Sequence, residues 1–202
     1  MNLEAIREKI GYQPLLLGAI ALLASGALAL ASSATGDAIA AAEAKDLRDS
    51  LSEVLPEGMA DNDFLKDTVN LENDGKAITI YRARQKGVVK AALFRVVERG
   101  YAADIQVLMA VDSEGKSLGV RVLKHSETPG LGDRIDVRKD PWVKSFAGKS
   151  LGDPAPDQWA VKKDGGVFDQ FAGATITPRA VVKAVKGGMN FFTEHRTEIL
   201  GG

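Results

Sequence analysis

The sequence predicts an α+β fold in which one N-terminal transmembrane helix precedes a single domain with an antiparallel sheet and flanking helices. Two observations predict this fold. No charged residue or histidine occurs between Lys9 and Asp37, a run long enough to cross a bilayer as a helix. Beyond it, β-rich runs separated by glycines lead to one amphipathic helix near the C-terminus, as expected for an antiparallel sheet covered by a helix.

The composition excludes several classes of protein. The 202 residues carry 26 Lys and Arg against 27 Asp and Glu, a formal net charge of −1, which argues against a basic nucleic-acid-binding protein. Cysteine is absent, so disulfide scaffolds, cysteine-ligated zinc or iron–sulfur sites and cysteine nucleophiles are excluded. The two histidines, His125 and His195, lie far apart and form no metal-binding pattern. A redox function would therefore need an organic cofactor.

The uncharged run, residues 10–36, predicts a retained transmembrane helix. About 20 residues at roughly 1.5 Å per residue cover a hydrocarbon core of about 30 Å. A cleaved signal peptide is the alternative, because Ala27-Leu28-Ala29 and Ala29-Leu30-Ala31 resemble small-residue cleavage sites. The apolar core of a typical signal peptide, about 7–15 residues, is shorter than this run, so the retained anchor is favoured.

A linker helix is expected next. Residues 37–55 carry Leu47, Leu51 and Val54 at helical spacing, and Pro56 follows them. The predicted organisation is an N-terminal segment with the transmembrane helix at residues 1–36, a linker helix at residues 37–60 and one domain at residues 61–202.

The domain begins with predicted strands. Residues 78–81 and 88–97 are rich in β-forming side chains and are bounded by glycines. The clearest hairpin joins residues 105–111 to residues 118–123 through the turn sequence Asp112-Ser113-Glu114-Gly115. These runs predict an antiparallel sheet.

The second half of the domain is predicted to be loop followed by helix. Glycines and prolines interrupt residues 125–166, with one short helix expected at residues 133–138. The last helix is expected to begin at Thr177-Pro178, since Thr suits the N-cap and Pro the first helical position. Its predicted apolar stripe consists of Val181, Val182, Val185, Met189 and Phe192.

Two segments carry candidate binding chemistry, and the first is Lys124–Gly132. Pro129 fixes one backbone angle, and the two glycines of this segment allow the chain to approach a flat ligand closely. An ordinary surface loop with a proline turn has the same composition, so the residues alone leave both interpretations open.

The second segment is Asp169–Arg179. Small residues at 172–174 leave the Thr175 hydroxyl sterically open, and the expected helix start offers unpaired N–H groups and a positive dipole end to a phosphate. Alternatively, Thr175 and Thr177 are only helix-start residues, a common role for threonine.

Together, Asp169–Thr175 (DQFAGAT) and His125–Gly132 (HSETPGLG) resemble the paired motifs of the bacterial FMN-binding subunits that carry their flavin as a threonine phosphoester. The resemblance extends over nearly the whole chain. The family includes the G subunits of Rnf electron-transport complexes and the C subunits of sodium-pumping NADH:quinone oxidoreductases, and the short chain favours the Rnf branch. Position 172 is Ala where the family has Ser or Thr, but the acceptor Thr175 is retained.

The resemblance implies a covalent cofactor, FMN joined to Thr175 through its phosphate. A periplasmic flavin transferase would move the FMN from FAD onto the threonine. Its implied recognition residues are Asp169, Gly173, Ala174 and Thr175.

The resemblance also implies a set of cofactor contacts. Glu127, Thr128 and Leu131 would line the isoalloxazine ring, and Lys163 would contact the phosphate or ring oxygens. His125 would orient its loop or serve as an ordinary structural histidine. The full implied set is Thr175, His125, Glu127, Thr128, Leu131, Lys163, Gly173, Ala174 and Thr177. Trp142, Phe146 and Trp159 would either shield the ring or, as aromatic residues more often do, belong to the core.

The implied function is that of a redox subunit with no complete active site of its own. It would relay electrons through FMN within a complex that couples ferredoxin and NAD redox chemistry to ion translocation. Its partners would be the other membrane and iron–sulfur or flavin subunits, the flavin transferase and the lipid bilayer, without nucleic acid. The alternatives are the same domain in the sodium-pumping quinone reductase and a flavin-free exported binding module.

The implied location is the bacterial inner membrane, with a single span, a cytoplasmic N-terminus and a periplasmic domain. The flanking charges alone do not decide this orientation. Arg7 and Lys9 on one side of the span are matched by Lys45 and Arg48 on the other.

Overall fold

The structure, a computed structural model, describes residues 12–73 and 75–201 of the chain. It begins with one long helix, α1, Tyr12–Ser52, of 41 residues, which is roughly 60 Å long at about 1.5 Å per residue. Within the described ranges it is the one helix long and apolar enough to cross a membrane. The predicted N-terminal apolar helix is confirmed, while the flanking Arg7 and Lys9 lie outside the described residues.

The predicted linker helix is not a separate element. Residues 37–52 continue α1 without a break, since no proline interrupts the alanine-rich sequence and a single glycine does not end a helix. The helix also ends at Ser52 rather than at Leu55. The N–H groups of Val54 and Leu55 bond to carbonyls three residues back, both at 3.3 Å, which closes the last turn.

Contacts divide the chain into two compact units, one ending at Leu47 and the other beginning at Arg48. The second unit therefore includes the last residues of α1, and Leu51 and Val54 are buried within it. A Cβ atom on Gly119 would lie 2.7 Å from the Val54 carbonyl oxygen, so this glycine allows the two backbones to meet. An ion pair between Arg121 and Glu53 joins the same two segments.

The domain is built on a five-stranded sheet in which each strand pairs antiparallel with the next in sequence. The antiparallel sheet predicted from the sequence is confirmed, with one additional edge strand. The strands are β1 Thr68–Asn73, β2 Lys76–Gln85, β3 Val88–Arg99, β4 Asp104–Asp112 and β5 Ser117–Lys124.

Local turn chemistry fixes the hairpins. Between β2 and β3, Lys86 and Gly87 both have positive φ values, 51° and 80°, as a two-residue hairpin connection of the favoured twist requires. Between β4 and β5, the Asp112 carboxylate accepts hydrogen bonds from the N–H groups of Glu114 and Lys116, both at 2.9 Å. The hairpin predicted over residues 105–123 is confirmed.

The segment after β5 is mostly loop, as predicted, with short 3₁₀ turns. The helix expected at residues 133–138 is instead a single 3₁₀ turn, Gly132–Ile135, because Asp136 takes an extended conformation at its end. The other turns are Pro141–Phe146, Pro156–Gln158 and Lys162–Asp164.

Two helices close the domain, α2 at Ile176–Glu194 and α3 at Arg196–Leu200. The predicted apolar stripe of α2 is buried throughout. It covers one face of the sheet, where Phe191 meets Phe94 edge-on with ring centroids 5.5 Å apart. This packing holds the N-terminus of α2 beside the loop that follows β5.

Candidate functional site

Three distant segments enclose a cavity of about 490 Å³ beside the start of α2. They are the turn between β3 and β4, the loop after β5, and the segment leading into α2; the turn Lys162–Asp164 adds Lys163. The structure thus brings both candidate motifs together at one place. The lining residues are Tyr101, Glu127, Thr128, Leu131, Gly132, Lys163, Gly173, Ala174, Thr175, Ile176 and Thr177.

A buried carboxylate joins the three segments. Glu127, which is 4 % exposed, accepts a hydrogen bond from the Thr177 hydroxyl on one oxygen. Its other oxygen accepts the N–H of Ala102 at 3.1 Å. Because an unpaired buried carboxylate would be costly, these two bonds fix the turn, the loop and α2 relative to one another.

Two glycines make room for this carboxylate. A Cβ atom on Gly100 would lie 2.6 Å from the Glu127 carboxylate, and one on Gly132 would lie 2.7 Å from the Thr177 hydroxyl oxygen. Any larger residue at either position would displace the hydrogen-bonded pair. The second glycine of the HSETPGLG motif therefore has a packing role that needs no positive φ.

The start of α2 differs from the sequence prediction. The helix begins at Ile176 with Thr175 as its N-cap residue, so Thr177 lies inside the first turn. The physical reason is that the Thr177 hydroxyl bonds to Glu127, an acceptor 50 residues away, instead of capping its own helix. Thr175 makes no side-chain capping hydrogen bond. Thr175 lines the cavity, and the first turn of α2 has no side-chain cap.

Lys163, an exposed residue of the turn at Lys162–Asp164, also lines the cavity. The turn is held on both sides. The Lys163 N–H donates to the Gln170 side chain at 3.1 Å, and Arg179 of α2 pairs with Asp164 at 2.5 Å. The hydrogen bond from Arg179 lowers the pKa of the Asp164 carboxyl. The backbone that carries the Lys163 side chain is therefore held beside the start of α2.

His125 does not line the cavity. Its Nδ1 accepts the backbone N–H of Glu127 at 3.2 Å, two residues along the same loop. This contact joins two neighbouring residues of the loop and fits either an orienting or an ordinary structural histidine.

Asp169 also lies outside this cavity. Its side chain is 68 % exposed and pairs with Lys162 at 2.6 Å, while its backbone carbonyl accepts the indole N–H of Trp142 at 2.8 Å. It borders a second cavity of about 430 Å³ that also includes Arg134 and Phe171. The motif Asp169–Thr175 thus begins on an exposed flank and ends in the cavity wall.

The three aromatic residues that could either shield the flavin ring or pack in the core belong to the core. Trp142, Phe146 and Trp159 are all buried, and Phe146 has its ring centroid 5.3 Å from that of Trp142 and 6.4 Å from that of Trp159. None of them lines the cavity beside Thr175.

Comparison with known proteins shows which family the chain belongs to. A family model of the FMN-binding domain matches residues 100–190, a span that includes all three segments around the cavity. The G subunit of the ion-translocating oxidoreductase complex of Cereibacter sphaeroides is 52 % identical, over 92 % of this chain and 85 % of its own length. The chain belongs to this G-subunit family. The G subunits of Stutzerimonas stutzeri (47 % identical, 96 % of this chain and 86 % of that one) and Pseudomonas aeruginosa (46 %, 97 % and 94 %) are also similar.

The fold of this G-subunit family member is shared with a solved structure. The crystal structure of NqrC from Shewanella oneidensis superposes with a TM-score of 0.50 at 23 % identity, covering 72 % of this chain and 74 % of that one. The expected G branch of the family is confirmed by the names of the relatives. The flavin-free binding module has no support from these matches.

The cavity beside Thr175 in this chain fits a flat, phosphate-bearing ligand such as FMN. The uncapped helix start and Lys163 offer donors and positive charge to a phosphate. Exposed apolar side chains at the cavity, Tyr101, Leu131 and Ile176, suit a flat ring. Gly173 has φ +78°, a backbone conformation that favours glycine, and a Cβ atom there would contact the Leu131 side chain at 3.4 Å.

Sequence reasoning missed part of this cavity. Tyr101 lies on a turn with no recognisable motif, and only the tertiary fold brings it to the site. Ile176 and Gly132 lie within or beside the two motifs, so their contact with the cavity could have been inferred from their position.

Proposed function

We propose that this chain is a membrane-anchored flavoprotein subunit that relays electrons through FMN esterified to Thr175. Membership of the G-subunit family makes it a redox component of an ion-translocating oxidoreductase complex, and FMN is the cofactor of the matched domain family. The observation that carries the covalent site is that Thr175 lines the cavity while its hydroxyl makes no capping hydrogen bond.

Each proposed contact has a physical basis in the cavity. The FMN phosphate would meet the first turn of α2 and the Lys163 ammonium, both of which favour an anion. The isoalloxazine ring would lie against Glu127, Thr128 and Leu131. The remaining members of the proposed set act around these contacts: Gly173 and Ala174 keep the approach to Thr175 open, Thr177 holds Glu127, and His125 positions the loop.

Attachment would be a phosphoryl transfer from FAD. The Thr175 hydroxyl oxygen would form a bond to the phosphorus of the FMN half while the pyrophosphate P–O bond broke. AMP would leave, and the hydroxyl proton would go to a base on the flavin transferase. The exposed side chain of Asp169 would be reached by that enzyme from outside the cavity, with Gly173 and Ala174 completing its recognition sequence.

FMN supplies one-electron and two-electron redox chemistry when bound. The chain supplies the tether, which keeps the cofactor at its site by making its binding intramolecular. We further propose that the complex couples ferredoxin and NAD redox chemistry to ion translocation. Its membrane and iron–sulfur or flavin subunits would be the immediate partners.

The proposed topology is a single span in the bacterial inner membrane, with the N-terminus in the cytoplasm and the FMN domain in the periplasm. The length and composition of α1 support a single-pass anchor. Location in the periplasm would also require the flavin transferase to act there.

The decisive experiment is the intact mass of the denatured full chain after coexpression with a flavin transferase. The wild type is expected to gain the mass of one FMN minus water and to fluoresce in a denaturing gel, whereas Thr175→Ala gains nothing. Thr193→Ala is the matched control, because Thr193 lies on α2 and bonds only to the Met189 carbonyl of its own helix among the described residues. An unmodified wild type, or a modified Thr175→Ala chain, would contradict the proposal.

A further inference from the structure

The cavity wall contains a carboxylate with no cationic partner among the described residues. Glu127 is 4 % exposed, and both of its oxygens accept from neutral groups, the Thr177 hydroxyl and the Ala102 N–H. The Ala102 N–H can only donate, so its bond favours a carboxylate oxygen without a proton, whereas the Thr177 hydroxyl can donate or accept. Glu127 thus lies in the wall of the proposed flavin site among partners that suit a negative charge.

The surroundings stabilise this charge without neutralising it. The donor Thr177 belongs to the first turn of α2, whose positive dipole end favours an anion. The glycines at 100 and 132 leave no space for a further group between the carboxylate and its donors. Lys163 lines the same cavity from the turn Lys162–Asp164 and forms no ion pair with Glu127 in the described structure.

We propose that Glu127 is a fixed negative charge that lowers the reduction potential of the flavin in this cavity. The inference rests on the proposed function, since it concerns the same cofactor. Reduction adds electrons to the isoalloxazine ring, and a buried negative charge beside the ring disfavours that gain because the protein interior screens charges weakly. Charges close to the ring are among the means by which proteins tune flavins.

The test is the midpoint potential of the FMN-loaded full chain in detergent, measured by spectroelectrochemical titration. Glu127→Gln keeps the side-chain shape and one acceptor oxygen but removes the charge, so its potential is expected to rise above that of the wild type. Glu98→Gln is the matched control, because Glu98 lies on β3 and pairs with Lys183 at 3.0 Å outside the cavity. Its potential is expected to equal that of the wild type.

A second measurement needs no variant. Infrared difference spectra between the oxidised and reduced wild type are expected to show a shifted band of an ionised carboxylate. A protonated carboxyl band in the oxidised state, lost or shifted on reduction, would overturn the proposal, as would a midpoint potential of Glu127→Gln at or below that of the wild type.

These outcomes separate the two proposals. If the wild type carries FMN at Thr175 and Glu127→Gln has an unchanged potential, the inference about Glu127 fails while the proposed function stands. If the wild type takes up no FMN, both fail together.

Discussion

Asp136 shows how single residues hold the loop next to the cavity in place. It is buried, and its carboxylate accepts the backbone N–H and the guanidinium of Arg138, both at 3.0 Å. The side-chain hydrogen bond from Arg138 lowers the pKa of Asp136 from 3.8 to about 2. Since the pKa is lower in the folded than in the unfolded chain, this contact stabilises the fold above about pH 4. The stabilisation is lost as the pH falls toward about 2.

Asp136→Asn is therefore expected to reduce the free energy of unfolding at pH 7, with the gap from the wild type narrowing between about pH 4 and about pH 2. Urea unfolding at pH 7, 4, 3 and 2 measures this gap. The control is Asp104→Asn, because Asp104 and its partner Arg99 are both well exposed and such pairs contribute little. A gap for Asp136→Asn that stays constant down to pH 2 would refute the assignment.

For single residues, the sequence predicts a role when the residues that determine it are neighbours in sequence. Thr175 and Glu127 lie in motifs, and both line the cavity. The prediction of Thr177 as the N-cap is wrong because the Thr-Pro rule considers only neighbours in sequence, whereas its hydroxyl bonds to a partner 50 residues away. Tyr101 has no local signal at all, because only the fold brings the β3–β4 turn to the site.

Among the elements, α2 shows how two adjacent glycines can have opposite roles. The sequence suggests that Gly187-Gly188 bends the helix or admits another backbone. In the structure, a Cβ on Gly188 would overlap the Met109 sulfur and lie 3.0 Å from a Val96 methyl, so side chains of the sheet occupy the space. A Cβ on Gly187 would meet nothing within 4 Å.

Gly187→Ala is expected to stabilise the domain by about 0.5–1 kcal/mol, because alanine loses less backbone entropy in a helix. Gly188→Ala is expected to destabilise it by about 1–3 kcal/mol through overpacking against the sheet. Thermal unfolding of the two variants beside the wild type tests both signs. Equal shifts for the two neighbours would show that α2 does not approach the sheet as described.

Element prediction follows the same rule of locality. The β4–β5 hairpin is predictable because its turn residues and its β-rich runs are contiguous. Strand β1, Thr68–Asn73, is missed because its side chains are only partly buried and it carries no run of strong β-formers. It forms a strand through pairing with β2, which a local pattern does not reveal.

For the whole molecule, the important boundary lies where α1 joins the domain. The fully buried Leu51 and the backbone contact between Val54 and Gly119 belong to the compact unit that begins at Arg48. A predicted domain starting at residue 61 would omit both. Loss of one fully buried leucine alone removes about 1.5–3 kcal/mol of stabilisation.

A soluble fragment of residues 48–202 is therefore expected to unfold at a higher temperature than a fragment of residues 61–202. Differential scanning calorimetry of both fragments, without added flavin, provides the comparison. Coincident transitions would mean that residues 48–60 contribute nothing to the stability of the domain.

The uncapped start of α2 has a consequence for how fast the protein is degraded in the cell. A missing helix cap typically costs about 0.5–2 kcal/mol, and a phosphodiester at Thr175 would supply both the acceptors and the negative charge that this helix start lacks. The newly made chain, which lacks FMN, would then unfold more often than the mature protein, and proteases cleave the unfolded form. We expect the abundance of the protein to follow the riboflavin supply, because chains that wait unmodified are degraded first.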